Sequence, residues 1–104
     1  MTIGNPLTAG LRPVHPGEVL REDVLPALGK PKAEIARLLG VSRQTLYDIL
    51  GEKQPITAGM ALRIGKLVGD GPMIWLGMQQ LYDVKAAERE LAGEIAAIPT
   101  LAVG

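Results

Sequence analysis

The chain has 104 residues, 47% of them apolar, which is enough for a single domain with a modest core. It has no Cys, no Phe, one Trp and one His, so disulfides, thiolate metal sites and histidine metal clusters are excluded and the core must be aliphatic. The formal net charge is zero and no apolar run approaches the roughly 18 residues that span a bilayer, so we expect a cytoplasmic protein with no cofactor, metal or membrane partner.

Residues 1–13 hold two glycines and two prolines and show no periodicity, which predicts a flexible N-terminal arm. A first helix is predicted to begin at Pro16, because the missing N–H of proline would have no partner in a first turn anyway. Pro26 is predicted to end it. The buried face of this helix is predicted to be Val19, Leu20 and Val24.

Four further helices follow in the sequence. The second ends at Gly40 as a left-handed cap, the third begins at the N-cap Ser42 and the fourth at the N-cap Thr57. After the turn "GDGP", Pro72 begins a longer fifth helix. The inward positions are Ile35, Leu38 and Leu39, then Leu46, Ile49 and Leu50, then Met60, Ala61, Ile64, Leu67 and Val68. No stretch alternates as a strand does, so the predicted fold class is all-α with five helices.

The second and third helices meet the requirements of a helix-turn-helix. Ala36 is the small residue that this motif needs where the two helices cross. Gly40 tolerates the positive φ of the turn. Val41, Leu46 and Ile49 hold the second helix of the motif from behind. All three requirements fall in register, so the signal is more specific than an isolated glycine motif.

The polar side of the third helix would then face outward. Arg43 can bind the O6 and N7 of guanine, Gln44 can pair with adenine, and Thr45 can meet a base edge or a thymine methyl. Tyr47 could contact DNA or lean on a neighbouring loop, and Asp48 could accept from cytosine, orient Arg43 or repel wrong sequences. Contacts to backbone phosphates are predicted for Lys32, Ser42, Lys53 and Gln54. The simpler alternative for these side chains is an ordinary solvated surface.

The charges are unevenly distributed along the chain. Residues 30–66 carry seven basic and three acidic side chains, whereas the residues from 67 onward carry two basic and five acidic ones. A basic middle beside an acidic end predicts two surfaces for two kinds of partner. Chance variation in a short chain is the alternative.

Three segments, "RPVHPGEVLREDVLPALG", "KAEIARLLGVSRQTLYDIL" and "ITAGMALRIGKLVGDGPMIWLGMQQLYDV", resemble the HigA-type antitoxins, a branch of the phage-repressor (Xre, Cro/CI-like) helix-turn-helix family. The ordered pair "HPGEVL" and "W-L-x-x-Q" is more specific than the helix-turn-helix alone. The resemblance implies a lambda-repressor-like fold and a homodimer that represses its own operon. It also implies a HigB-type (RelE-like) toxin as partner, and DNA contacts at Ser42, Arg43, Gln44, Thr45 and Asp48.

The chain is accordingly divided into the arm (1–13), a helix-turn-helix domain that binds double-stranded operator DNA (14–70), and a C-terminal helix and tail for dimer or toxin contact (71–104). One helix-turn-helix binds about half of a palindromic operator, so a dimer is expected.

The predicted dimer interface is Ile74, Trp75, Met78, Leu81 and Tyr82. For Trp75, Met78 and Tyr82, packing in the core is the alternative. Helical spacing continues this face as an apolar stripe through Ile74, Gly77, Leu81, Val84, Glu88, Leu91, Ile95 and Ile98.

The toxin surface is predicted from charge alone. The acidic tail is one candidate, with Asp83, Glu88, Glu90 and Glu94. The first helix is the other, with Glu18, Glu22 and Asp23.

Two alternatives to an antitoxin are a stand-alone regulator and an interaction module that has lost DNA binding. An enzyme is not expected, because His15 has no nearby Ser or Cys nucleophile and suits a capping or packing role.

Overall fold

The computed structural model describes residues 13–102. Within this range the chain is helical without a strand, so the all-α prediction is confirmed. The first helix, α1, is continuous and consists of the segments Pro16–Val19, Leu20–Val24 (a π turn) and Leu25–Leu28. The other helices are α2 (Lys32–Leu39), α3 (Arg43–Leu50), α4 (Ala58–Val68), α5 (Met73–Glu90) and a short α6 (Ala92–Ala96). The predicted arm lies outside the described residues except for Pro13.

Pro26 does not end α1, as the sequence had suggested. The helix widens into a π turn just before it, and the amide of Leu25 donates to the carbonyl of Leu20 five residues earlier. A π turn is wider than an α turn, so it accommodates both the proline ring and its missing N–H. The helix ends instead at Gly29, which has a φ of 67°.

The core is aliphatic around one tryptophan. Its buried residues are Leu20, Leu25, Ile35, Ala36, Leu39, Leu46, Ile49, Leu50, Ile56, Met60, Ala61, Ile64 and Trp75. The inward positions predicted for the third helix are all among them. Leu38 was expected to face inward but is 44% exposed, because the adjacent pair Ile35 and Ala36 together with Leu39 takes the buried side of α2. Val19, Val24, Leu67 and Val68 pack against the core and are only partly buried.

The helix-turn-helix is α2 and α3 with Gly40 between them, as predicted. Gly40 has a φ of 74°. Arg63 of α4 donates from one guanidinium nitrogen to the carbonyl of Leu39 at 2.7 Å and to that of Gly40 at 3.4 Å. These bonds satisfy carbonyls at the end of α2, which have no partner within the helix. The motif is therefore held by a side chain of the next helix as well as by its own turn.

The inner side of α5 ties this helix to the rest of the domain. Trp75 donates from its indole nitrogen to Asp70 at 3.0 Å, and the buried Gln79 accepts from the backbone amide of Ile56 at 2.8 Å. These are the Trp and Gln of the "W-L-x-x-Q" segment. Beyond Tyr82 the helix projects from the domain, since every residue from 83 to 102 is exposed.

Candidate nucleic-acid interface

The N-terminal turn of α3 is closed by Ser42, as the sequence predicted. The Ser42 hydroxyl accepts from the backbone amide of Thr45 at 3.0 Å and donates to the Thr45 hydroxyl oxygen at 2.9 Å. Such a cap stabilises a helix by about 1 kcal/mol. Because the Thr45 oxygen accepts this bond, its own hydroxyl proton stays available for an acceptor outside the chain.

The two sides of α3 differ sharply in burial. Leu46, Ile49 and Leu50 on the inner side are 1%, 0% and 4% exposed. Arg43 and Gln44 on the outer side are exposed. A helix anchored in this way presents its polar tips in fixed positions, which is what reading base edges in a major groove requires.

Asp48 lies beside Gln44 and not beside Arg43. The Gln44 side-chain nitrogen donates to the Asp48 carboxylate at 2.8 Å, one helical turn away. This bond uses one of the two amide protons and leaves the other proton and the carbonyl oxygen free. One donor and one acceptor on the same amide are what the N7 and N6 atoms of adenine require. The predicted option in which Asp48 orients Arg43 is therefore replaced by one in which it orients Gln44.

Arg43 has no carboxylate within ion-pairing distance in the described part of the chain. Two other arginines of the domain differ in this respect. Arg37 binds Glu34 at 2.7 Å, and Arg21 binds Glu22 at 2.8 Å. The Arg43 guanidinium can therefore bind an anion or a hydrogen-bond acceptor without first breaking an ion pair to another described residue.

Lys32 and Tyr47 form a pair next to this outer side. The Lys32 ammonium lies 5.9 Å from the centroid of the Tyr47 ring, within the range of a cation–π contact. Tyr47 is 46% exposed. The tyrosine thus leans on α2 and keeps an open face, and it brings a cation predicted to bind phosphate beside the residues predicted to read bases.

The loop after α3 carries Lys53, which is exposed, and Gln54, which is half-buried. The Lys53 amide donates to the carbonyl of Asp48 at 2.8 Å, which folds the loop back on the helix. The residue before it, Glu52, has a φ of 61° and is the one described non-glycine residue in the left-handed region.

Arg21 of α1 holds this loop, and sequence reasoning missed it. One guanidinium nitrogen of Arg21 donates to the Leu50 carbonyl at 2.6 Å and to the Glu52 carboxylate at 3.3 Å. The partners are 29 and 31 residues away along the chain. The sequence does not signal it, because Gly51 follows α3 directly and only the structure shows that the left-handed residue is Glu52, one position later.

His15 is a helix cap, as the sequence suggested. It is 3% exposed, its Nδ1 accepts from the Gly17 amide at 2.9 Å, and its ring packs edge-on against Tyr82 with the centroids 5.0 Å apart. Burial lowers the pKa of this imidazole, an effect that the carboxylates of Glu52 and Asp83 oppose. The lowered pKa and the acceptor role of Nδ1 both favour the neutral ring.

The residues predicted for a dimer interface separate into two groups. Ile74 and Leu81 are 53% and 48% exposed on the outer side of α5. Trp75 is only 2% exposed, so it belongs to the core and has no surface left for a second copy. Met78 packs against the core and Tyr82 against His15, and both are half-buried.

Exposed apolar side chains continue the outer stripe of α5 across the turn at Leu91, along the short α6 and just past its end. Val84, Leu91, Ile95 and Ile98 are 54%, 38%, 54% and 63% exposed. A shallow groove of about 210 Å³ runs along part of it, lined by Val84, Ala87, Glu88, Leu91 and Ile95. The spacing of the stripe, alternately three and four residues, is that of a coiled-coil seam.

Within residues 13–102, no helix is long and apolar enough to cross a membrane. No group of three or more His, Cys, Asp or Glu side chains there is arranged to hold a metal ion.

No family model matches the chain. Individual proteins, however, are similar to it in sequence. The virulence-associated protein I of Dichelobacter nodosus is 40% identical over 77 residues, which cover 74% of this chain and 71% of that protein. Antitoxin HigA-1 of Vibrio cholerae is 30% identical over 73 residues, which cover 70% of this chain and 69% of that one.

The solved structures point the same way. The Pseudomonas aeruginosa antitoxin HigA, determined with the higBA promoter, is similar to this chain with a TM-score of 0.82 and 35% identity. The similarity covers 88% of this chain and the whole of that one. Fold and sequence therefore agree over the helix-turn-helix and α5 together.

Proposed function

The chain belongs to the HigA-type antitoxins of the Xre-like helix-turn-helix family, and from this membership we propose that it is an antitoxin that also represses transcription. A homodimer binds double-stranded operator DNA through α3 and represses the operon of the chain itself. The same chain neutralises a HigB-type (RelE-like) toxin that cleaves mRNA. All of this takes place in the cytoplasm.

The observation that carries the DNA-binding role is the exposed Arg43, which has no carboxylate partner among residues 13–102, next to Gln44, whose amide is oriented by Asp48. Arg43 would bind a guanine, Gln44 an adenine, and Thr45 a third base edge. Each good base contact discriminates by roughly 1–3 kcal/mol. Tyr47 would touch the same groove with its open face.

Contacts to the phosphate backbone would come from both ends of the motif. Lys32 lies beside Tyr47 on one side, and Lys53 and Gln54 follow α3 on the other. Ser42 lies at the N-terminus of α3, where the backbone N–H groups favour an anion. These contacts supply affinity and register without reading sequence.

The dimer would form through the outer side of α5. Ile74 and Leu81 begin a stripe of exposed apolar side chains with coiled-coil spacing, and no core residue among those described covers its later members. Exposed apolar stripes of this length mark interaction surfaces. The C-terminal unit, residues 71–104, is therefore the dimer-forming part, and residues 14–70 are the DNA-binding part.

The acidic side chains of the tail are the toxin surface that we favour. Glu90 and Glu94 are exposed and make no ion pair with any described residue, so a basic partner could use both. Glu88 is shared with Lys85 at 3.6 Å. On the first helix, by contrast, Glu22 is already bound to Arg21.

One experiment separates the proposed function from its alternatives. The full chain is co-expressed with the product of the neighbouring reading frame, and the purified material is mixed with a duplex taken from upstream of its gene. Co-purification of a small basic protein together with a DNA shift supports the antitoxin-repressor. A shift without a co-purified partner would indicate a stand-alone regulator. Co-purification without a shift would indicate an interaction module that has lost DNA binding.

A further inference from the structure

Arg21 occupies an unusual position between α1 and the end of α3. Its guanidinium contacts three acceptors: the Leu50 carbonyl at 2.6 Å, the Glu52 carboxylate at 3.3 Å and the Glu22 carboxylate at 2.8 Å. The Leu50 carbonyl is one of the last of α3 and has no partner within the helix. Arg21 therefore supplies from another helix what a C-terminal cap supplies locally.

Glu52 stands where glycine is usual. Its φ of 61° lies in a region that L side chains rarely adopt, since Cβ then approaches the backbone. The side chain reaches Arg21 from this conformation. The next amide, that of Lys53, donates to the Asp48 carbonyl at 2.8 Å, so the turn at Glu52 decides where Lys53 leaves α3.

We propose that Arg21 is a positioning residue for DNA binding, which fixes the left-handed turn at Glu52 and thereby places Lys53 beside the phosphate backbone. Its guanidinium also offsets the charge of the Glu52 carboxylate, which would otherwise repel a phosphate next to Lys53. The inference rests on the proposed DNA-binding function and adds to it a residue outside the helix-turn-helix.

A double-mutant cycle on the full-length chain tests this role. Binding to a random-sequence duplex is measured by fluorescence anisotropy between about 50 and 200 mM salt for wild type, Lys53→Ala, Arg21→Met and the double variant. Log affinity falls as log salt rises, and Lys53→Ala should make this fall less steep by about one unit, because one phosphate contact is lost. Arg21→Met should reduce the steepness by about as much, and the double variant should lose nothing further.

Lys85→Met is the matched control, because it also removes a paired cation, on the projecting part of α5. It should leave the salt slope unchanged. A second measurement reads the loop directly: hydrogen exchange of the Lys53 amide should accelerate in Arg21→Met while the amides of α4 keep their protection. If Arg21→Met does not fold, Arg21→Gln tests the same link, because its amide can still donate to the Leu50 carbonyl but cannot neutralise Glu52, and it should also lower the slope and accelerate this exchange.

The possible results have different meanings. A double variant that loses about two units of slope would make Arg21 a direct phosphate contact and overturn the inference. An unchanged slope in Arg21→Met would overturn it as well, by reducing Arg21 to a surface ion pair. Absence of salt-dependent binding in the wild-type chain would overturn the proposed function itself, and the inference with it.

Discussion

Gly17 of α1 and Ile49 of α3 are in direct backbone contact: a Cβ atom built on residue 17 would overlap the Ile49 carbonyl oxygen. The Gly17 amide also donates to the Nδ1 of His15. The "HPG" of the sequence therefore has three separate tasks, in which His15 caps, Pro16 begins the helix and Gly17 lets α3 approach.

Gly17→Ala should destabilise the protein by about 1–3 kcal/mol, because two backbones would have to separate. Urea unfolding followed by circular dichroism measures this change. Gly59→Ala in α4 is the control, since a Cβ there has only the Thr57 hydroxyl at 4.0 Å, and it should stabilise the protein by up to about 1 kcal/mol. Equal effects of the two substitutions would contradict the contact.

Arg43→Ala combined with Gln44→Ala should abolish the preference for operator over random DNA and leave a weak, salt-sensitive binding. The contacts to bases would be lost, whereas the proposed contacts of Lys32 and Lys53 to the phosphate backbone would remain. Competition binding with the two duplexes measures the preference. Arg37→Ala, which removes an arginine bound to Glu34, should keep it. A double variant with full preference would exclude α3 as the reading element.

Gln79→Ala should cost about 1–3 kcal/mol, because the buried amide of Ile56 would lose its acceptor. The neighbouring Gln80 is exposed, so Gln80→Ala should change the free energy of unfolding by no more than about 0.5 kcal/mol. Chemical denaturation of both variants provides the comparison. A Gln79→Ala variant as stable as Gln80→Ala would show that water replaces this bond.

His15 should make stability depend on pH. Burial lowers its pKa below the value of 6.5 expected for the unfolded chain, so the unfolded state takes up the proton first as the pH falls. The contribution of His15 is therefore fully present above pH 6.5 and is lost as the pH drops from there through the lowered pKa. His15→Asn keeps a side chain that can cap without titrating, and it should flatten this part of the profile. Melting temperatures of both proteins across this range measure the difference.

Leu81→Glu combined with Val84→Glu should convert the proposed dimer to a monomer with an intact fold. Both side chains are about half exposed on the outer apolar stripe, and a second copy would have to bury the new charges. Analytical ultracentrifugation and circular dichroism measure mass and helix content. Gln80→Glu is the control and should remain dimeric. A double variant that is still dimeric would place the interface elsewhere.

The features that sequence could predict depend on near neighbours. Ser42, Gly40 and Thr57 act within three or four residues of themselves, and the structure confirms all three caps. Ala36 was identified because the helix-turn-helix has a fixed spacing, and it is 2% exposed.

What sequence reasoning missed depends on distant residues. Nothing near Pro26 announces the π turn that lets α1 continue to Leu28. Helical spacing alone allows Trp75 to lie either on the surface or in the core. The packing of α5 against the domain places it in the core. The Arg21–Glu52 pair joins residues 31 positions apart, so no local pattern contains both members.

The projecting end of α5 has a consequence for how the protein behaves when it is scarce. The helical residues after Tyr82, up to Glu90 in α5 and from Ala92 to Ala96 in α6, are all exposed, so a partner must supply most of the free energy that keeps them helical. Association follows mass action, and dilution therefore loosens this end before it affects the core. In a cell, proteases would meet an unfolded C-terminus first in molecules that have neither a second copy nor another partner.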